Sequence, residues 1–210
     1  MITLAFNDTK FQVRFGSMVE SAKNPRAILM NSGREVGSQL KKHFRAKDRT
    51  NANTLAPDRR SHFWLAVAQM VQNPQLESAT TVSVSINHPA FAQKLFGGTI
   101  TAKEAGALTI PVEERAYGRT VLTFEQETGL KLFLIRSGQG NFENALLAVK
   151  DDSGKGFTVE YVLTKSVTQS ADPTALPDKT MLEQAILARA QRVLDRQTQQ
   201  DNPNPGEEIP

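Results

Sequence analysis

The sequence predicts an α+β fold, in which an antiparallel or mixed sheet packs against two or three helices and a long C-terminal helix precedes a disordered tail. Two patterns carry that reading. Apolar residues recur at helical spacing in three polar segments, around 25–44, 58–72 and 180–193, while 81–86, 130–135, 145–149 and 157–163 are rich in β-branched and alternating apolar residues. Glycine, proline and Asn/Asp clusters separate these runs where turns are needed.

In chain order, Ile2, Leu4 and Phe6, then Phe11, Val13 and Phe15, alternate with polar residues around Asn7-Asp8-Thr9-Lys10, which reads as a β-hairpin. Asn24-Pro25 opens a helix, since an asparagine side chain satisfies free amides and a proline in the first turn has no amide to satisfy. Leu29, Val36, Leu40 and Phe44 form its apolar stripe and its end falls near Phe44. Gly33 and Gly37 each weaken that helix by roughly 1 kcal/mol relative to alanine, so they mark either close packing or a bend. From Ala46 to Pro57 the composition is that of a polar, mobile loop. A helix from Asp58 to Gln72 puts Phe63, Trp64, Val67, Met70 and Val71 on one side, with Trp64 as a core anchor, and Asn73-Pro74 stops it.

Thr81 to Ile86 alternates as a strand with one buried face. His88 to Phe96 is a short helix ending at Gly97-Gly98, where positive φ costs nothing and the chain can reverse. The following strand stops at Pro111 or lies at an edge, because proline donates no ladder hydrogen bond. Ala145 to Val149 and Phe157 to Leu163 are strands joined by a hairpin turn over 151–156. The last helix begins near Pro177 or Thr180, where Thr180-Met181-Leu182-Glu183 fits a capping box, and Leu182, Ala185, Ile186 and Val193 line its apolar side. Residues 1–196 read as a single domain and 197–210 as a flexible tail with little to bury.

Composition narrows the classes of function. The chain has 210 residues, 39% of them hydrophobic, with no cysteine and a formal charge of +3. Disulfides and thiolate chemistry are excluded, and no apolar run approaches the roughly 20 residues that cross a bilayer. Met1-Ile2-Thr3-Leu4-Ala5-Phe6 lacks the basic start and apolar run of a secretory signal, so synthesis and assembly in the cytoplasm are expected. Positive charge concentrates between 34 and 60, at Arg34, Lys41, Lys42, Arg45, Lys47, Arg49, Arg59 and Arg60, against Glu35, Asp48 and Asp58. Lys41, Lys42 and Arg45 are the candidate patch for DNA phosphate or an acidic neighbour, and a solvated helix face is the competing reading.

Catalysis finds no support in the motifs. Ser153-Gly154-Lys155-Gly156 lacks the earlier glycine and the Ser or Thr after lysine of a phosphate loop, and it lies between strands. His43, His62 and His88 fall in separate elements without metal-ligand spacing. The neighbouring pairs Asp151/Asp152 and Glu113/Glu114 point in different directions on any regular element. The expectation is therefore a protein with no catalytic residues, no cofactor and no metal site.

The segment from His88 through Phe96-Gly97-Gly98-Thr99-Ile100 and Lys103 to Ala107-Leu108-Thr109-Ile110-Pro111 carries more information. It is followed by Glu114-Arg115-Ala116-Tyr117-Gly118-Arg119, then by Tyr161 to Thr168, Ala175-Leu176-Pro177 and the terminal helix. This ordered set, spanning about 28–194, resembles the virion morphogenesis and tail-completion proteins of Mu-like and HK97-like tailed phages. Lys94 departs from it, standing where many Mu-like relatives carry a histidine, so no role of that histidine is carried over. The resemblance implies a structural virion protein of the phage neck. It would assemble in the host cytoplasm as a homo-oligomeric ring and join head to tail, its partners being the head-tail connector and the tail terminator or tail proteins. Under it, Phe96, Gly97, Gly98, Thr99, Ile100 and Lys103 form a loop that meets the next subunit. A turn within one subunit is the alternative. A nucleic-acid-binding protein using the basic 34–60 segment is the second class of function that the sequence leaves open.

Overall fold

The computed structural model describes residues 1–3, 9–50, 53–56, 59–103, 106–136, 145–151 and 156–201. The fold is α+β and every strand pair is antiparallel. Within the span read above as one domain, the chain's contacts cluster into two compact units, Met1–Phe96 with Asp172–Pro210, and Gly97–Ala171.

The first unit is built around one helix. It contains β1 (Ile2–Thr3), α1 (Thr9–Glu20), α2 (Pro25–Thr50), β2 (Asn53–Ala56), β3 (Arg59–Ser61), α3 (Phe63–Gln69), β4 (Gln75–Leu76), β5 (Val82–Ser83), β6 (Ser85–Ile86) and α4 (Phe91–Phe96). In the second unit lie β7 (Gly98–Thr101), β8 (Leu108–Pro111), a 3-10 turn (Glu114–Ala116), α5 (Val121–Thr128), β9 (Phe133–Ile135), β10 (Leu146–Lys150), β11 (Phe157–Thr164) and β12 (Ser166–Gln169). The chain then returns to the first unit for α6 (Lys179–Asp201).

α2 starts where the sequence places it: Asn24 Oδ1 accepts from the Ala27 amide at 3.1 Å, with Pro25 in the first turn. Its stripe of Leu29, Val36, Leu40 and Phe44 is buried: Val36, Leu40 and Phe44 pack with Trp64, Val67, Val71, Phe91 and Ile186, and Leu29 packs with Val19, Ile28 and Ala190. α3 and α6 are the helices it contacts most. The helix continues to Thr50, six residues past the expected end. Lys47 in that last stretch is buried with partners of its own, and Arg49 Nε and Thr50 Oγ1 bond back to the carbonyls of Arg45 and Ala46. The expected mobile loop thus begins as helix and continues as the β2–β3 pair, with residues 51–52 and 57–58 outside those described.

Three expectations are corrected. The hairpin over 2–15 is replaced by β1, which pairs with β6, and by α1; residues 4–8 lie outside those described. Phe11, Val13 and Phe15 satisfy a period of two, but Phe11, Phe15 and Val19 also satisfy the helical spacing. The helix wins because those three meet the core while Val13 is 68% exposed. The helix expected from Asp58 starts at Phe63, where Asp48 of α2 reaches across. Its Oδ1 accepts from the Leu65 amide at 3.1 Å and its Oδ2 meets His62 Nδ1 at 2.9 Å. The strand over 81–86 is two short strands with different partners, β5 with β4 and β6 with β1. Ser83 is buried beside Val84 because its hydroxyl donates to Glu77.

In the second unit the four-stranded order is β8-β11-β10-β9, so the strand ending at Pro111 is an edge strand. Phe124 of α5, Ala116, Val149 and Tyr161 form its core. The β10–β11 register shifts between Leu147 and Ala148, which face Tyr161 and Val159, leaving Glu160 as the extra residue. That bulge explains how two successive residues, Glu160 and Tyr161, are both buried. The turn over 151–156 retains the bond from the Asp151 amide to the Gly156 carbonyl, and the phosphate-loop-like Ser153-Gly154-Lys155 lies outside the described residues. Asp178, not Thr180, caps α6, accepting from the Met181 amide at 3.0 Å. The helix runs to Asp201 because the polar residues 197–200 contain no helix breaker; residues 202–210 are outside those described.

The two helical glycines separate. A Cβ at Gly33 would lie 2.6 Å from Pro74 Cβ and 2.9 Å from Val82, so close packing demands this glycine. A Cβ at Gly37 would find only ordinary contacts, at 3.9 Å to Val84 and 4.0 Å to Val71. Gly37→Ala is therefore expected to stabilise the protein by about 0.5–1 kcal/mol and Gly33→Ala to destabilise it by about 1–3 kcal/mol, read from urea unfolding midpoints. Equal effects at both positions would refute the packing explanation.

Candidate functional site

The double glycine acts first as a backbone device. Gly97 has φ +69° and Gly98 φ +127°, both in the region that side chains other than glycine's disfavour. A Cβ on Gly97 would lie 2.5 Å from the Ala171 amide nitrogen and 2.7 Å from the Gln169 carbonyl. Glycine is required where the outgoing strand β7 passes the returning strand β12.

β7 and β12 form a two-stranded ribbon with Thr99 opposite Thr168 and Ile100 opposite Val167. Directly paired residues share a face, so the ribbon has two unlike sides. Thr99 and Thr168, whose hydroxyls meet at 2.9 Å, belong to the polar side with Thr101 and Ser166. Ile100 and Val167 make the other side apolar, yet they are 44% and 37% exposed. Each strand has only the other as its ladder partner among the described residues. Lys103 follows as an exposed residue. Phe96, at the end of α4 in the first unit, is 71% exposed.

The basic segment is divided by the fold. Lys41 is half-buried and Lys42 and Arg45 are exposed on α2; with Arg34 they form no ion pair among the described residues. Arg34, Ser38, Lys42, Arg45 and Arg49 are all exposed at helical spacing, a stripe on the side of α2 away from its core. Lys47 is withdrawn from this surface.

Sequence reading missed two buried charge sites. Lys47, 6% exposed, places its ammonium 2.9 Å from Asp172 Oδ2 and 2.9 Å from the Thr174 carbonyl. It also donates to the Thr174 hydroxyl and stands 4.6 Å from the centre of the Trp64 ring. His43 Nε2 reaches the same Thr174 carbonyl at 3.1 Å. In the second unit, Glu160 is wholly buried; its Oε1 receives Arg115 Nε at 2.9 Å and also Nη2, and its Oε2 has no partner among the described residues. A glutamate inside the run Phe-Thr-Val-Glu-Tyr-Val-Leu at 157–163 was the available sign of that site. His43 is thus a third titratable group beside Lys47 and Asp172, while Glu160 is tied to Arg115. Among the described residues no group of three or more His, Asp or Glu side chains is placed to hold a metal ion, and no helix is long and apolar enough to cross a membrane.

Comparison with family models, with curated proteins and with solved structures finds no match.

Two acid-sensitive steps follow from the Lys47 site. Desolvation pulls His43 below its ordinary 6.5, with Lys47 adding to that and the Thr174 carbonyl opposing it. Its neutral form is favoured in the native state, so its contribution is complete above 6.5 and is lost as pH falls below that value. Desolvation pushes Asp172 upward, but hydrogen bonds from Lys47 and Thr174 outweigh it and leave the carboxyl below its ordinary 3.8. That contribution is complete above 3.8 and lost on further acidification. Thermal unfolding is expected to show Tm falling first below pH 6.5 and again below 3.8, with His43→Gln flattening the upper step. Lys47→Met, which leaves Asp172 unpaired but partly solvated, is expected to cost about 2–3 kcal/mol by urea unfolding. A cost under about 0.5 kcal/mol would mean the pair is as weak as a surface one.

Proposed function

We propose that the protein is a structural component of a phage neck or tail-completion apparatus, acting in head-to-tail joining as a ring of identical subunits within the virion. Two things support this: the ordered set of motifs from His88 to the terminal helix, and the exposed β7–β12 ribbon, which carries the reading. A two-stranded ribbon is marginal in water, and one with an apolar side at Ile100 and Val167 and no third strand among the described residues gains stability when a neighbour covers it. The mechanism is geometric: a folded core supplies the ring wall, and the segment through Thr99, Ile100 and Lys103 orders against the next subunit. No step of this reading requires a catalytic group or cofactor.

Quantitative mass spectrometry of purified particles, normalised to the portal protein, tests it. A low, fixed and symmetric copy number is expected, and absence from intact particles would overturn the reading. Ile100→Asp alters an exposed position and leaves the Phe124–Tyr161 core untouched. It is expected to keep its circular dichroism and Tm while incorporation falls at least roughly tenfold, the loss of a contact worth about 1.4 kcal/mol.

A nucleic-acid-binding role is the second reading, favoured by Arg34, Lys41, Lys42 and Arg45 on α2, which form no ion pair among the described residues. If those four contact phosphate, log K for duplex DNA should fall against log salt with a slope of about −3.6 per subunit, and each alanine substitution should reduce the slope by about 0.9. A slope near zero, or one unchanged by Lys42→Ala and Arg45→Ala, would exclude the patch as the contact surface.

A further inference from the structure

The β7–β12 ribbon offers two strand edges as well as an apolar side. The Ala102 amide donates to the Lys165 carbonyl at 3.2 Å, which makes those two residues a hydrogen-bonded pair. Ladder geometry alternates from there. Ile100 and Val167 are therefore the next such pair, and the amides and carbonyls of Thr99, Thr101, Ser166 and Thr168 turn outward, away from the partner strand. Among the described residues these outward groups have no hydrogen-bond partner, save the Ser166 carbonyl, which accepts from the Thr164 hydroxyl at 3.0 Å. All four residues are exposed.

The β8 edge of the larger sheet is built differently. There the Val112 amide donates to the Glu160 carbonyl at 2.9 Å, so the same alternation turns Thr109 and Pro111 outward. Proline stands where an outward donor would be, which blocks a further strand on that side. The ribbon has no such guard: Gly98–Thr101 and Ser166–Gln169 contain neither proline nor a charged residue, and Lys103 and Lys165 flank them at one end. An edge without proline or charge is a template for another strand.

We propose that the ribbon grows by strand addition between copies of this chain, β7 of one subunit pairing antiparallel with β12 of the next. This rests on the reading of the ribbon as the subunit contact and gives that contact its register. A second copy is the occupant because the two strands already fit each other once: hydroxyl faces hydroxyl in the Thr99 and Thr168 pair, and aliphatic faces aliphatic in the Ile100 and Val167 pair. Repeating that register between subunits joins the outward groups of Thr99 and Thr101 to those of Thr168 and Ser166 in the neighbour, and sets a second valine beside Ile100. Pairing β12 with β12, or β7 with β7, leaves one edge of every ribbon open. The unlike pairing is head to tail, and it leaves no edge open once a ring closes.

The absence of cysteine from the chain makes the register testable by disulfide cross-linking. Ile100→Cys and Val167→Cys, each a single variant of the full chain, are mixed at sub-millimolar concentration and mildly oxidised. In the proposed pairing the two positions form a non-hydrogen-bonded pair with Cα atoms about 4.5 Å apart, within disulfide range. The mixture is expected to yield linked dimer at least roughly tenfold above either variant alone, and above Ile100→Cys mixed with Leu122→Cys, a chance-collision control at an exposed position of α5. Thr101→Pro removes one outward donor and no bond of the internal ladder. Added to the Ile100→Cys chain, it is expected to keep the circular dichroism and Tm and to lower the linked dimer at least roughly tenfold. Linked dimer from a single variant at the level of the mixture would mean like strands pair and would overturn the proposal. A mixture no better than the control, or a yield unchanged by Thr101→Pro, would overturn it equally. Either result alongside a fixed copy number in particles would remove strand addition and leave the neck reading standing, whereas the expected link in a protein absent from particles would do the reverse.

Discussion

The buried ammonium of Lys47 is the interaction on which the first unit depends most. An ammonium taken out of water is costly unless it is surrounded by acceptors, and here Asp172, the Thr174 carbonyl and the Thr174 hydroxyl surround it while the face of Trp64 lies alongside. Those acceptors belong to the segment that re-enters the first unit after the second has been traversed. Once that segment is fixed, Ala175 joins the core cluster of Phe44, Trp64 and Phe91, and α6 begins at a defined point on α2. Arg189 of α6 donating to Asn31 at 2.8 Å secures the other part of the same helix pair. Hydrophobic burial supplies the larger energy along α2; the lysine site fixes where the returning chain meets it.

The second unit solves a related problem with a bulge. Glu160 would face away from the Tyr161 side of the sheet in a regular strand, and the extra residue lets both side chains turn inward. Arg115 then meets the carboxylate, and the Tyr161 hydroxyl reaches the carbonyls of Ala116 and Arg119 at 3.3 Å each. The segment Glu-Arg-Ala-Tyr-Gly-Arg at 114–119 is thereby held against β11, which gives that motif a structural role.

Legibility in the sequence followed the length of each pattern. α2 could be read because a cap, a proline and four stripe residues agree, and β11 because seven residues carry one character. α1 could not be read correctly, since Phe11, Val13 and Phe15 fit two periods and Val19 decides only when the window is widened. Strands of two residues, such as β4, β5 and β6, carry no periodicity at all; their pairing is set by distant partners. Lys47 appeared as one cation among eight, because burial is a property of its surroundings and leaves no mark on the residue. For the site, the glycine turn was foreseen from Gly97-Gly98, but the ribbon's unlike sides depend on its register with β12.

The division of the first unit between two stretches of chain sets the order in which it can be completed. As the polypeptide leaves the ribosome, α2 is made with its Leu29–Phe44 stripe lacking the partner helix that lies 158 residues away at the Asn31–Arg189 bond. The whole of Gly97–Ala171 emerges before Asp172 can reach Lys47. The second unit can therefore fold first from contacts within its own 97–171 span, while the first waits on a closure between distant parts of the chain, with the loop entropy that entails. During that interval the uncovered face of α2 is the surface a chaperone would meet.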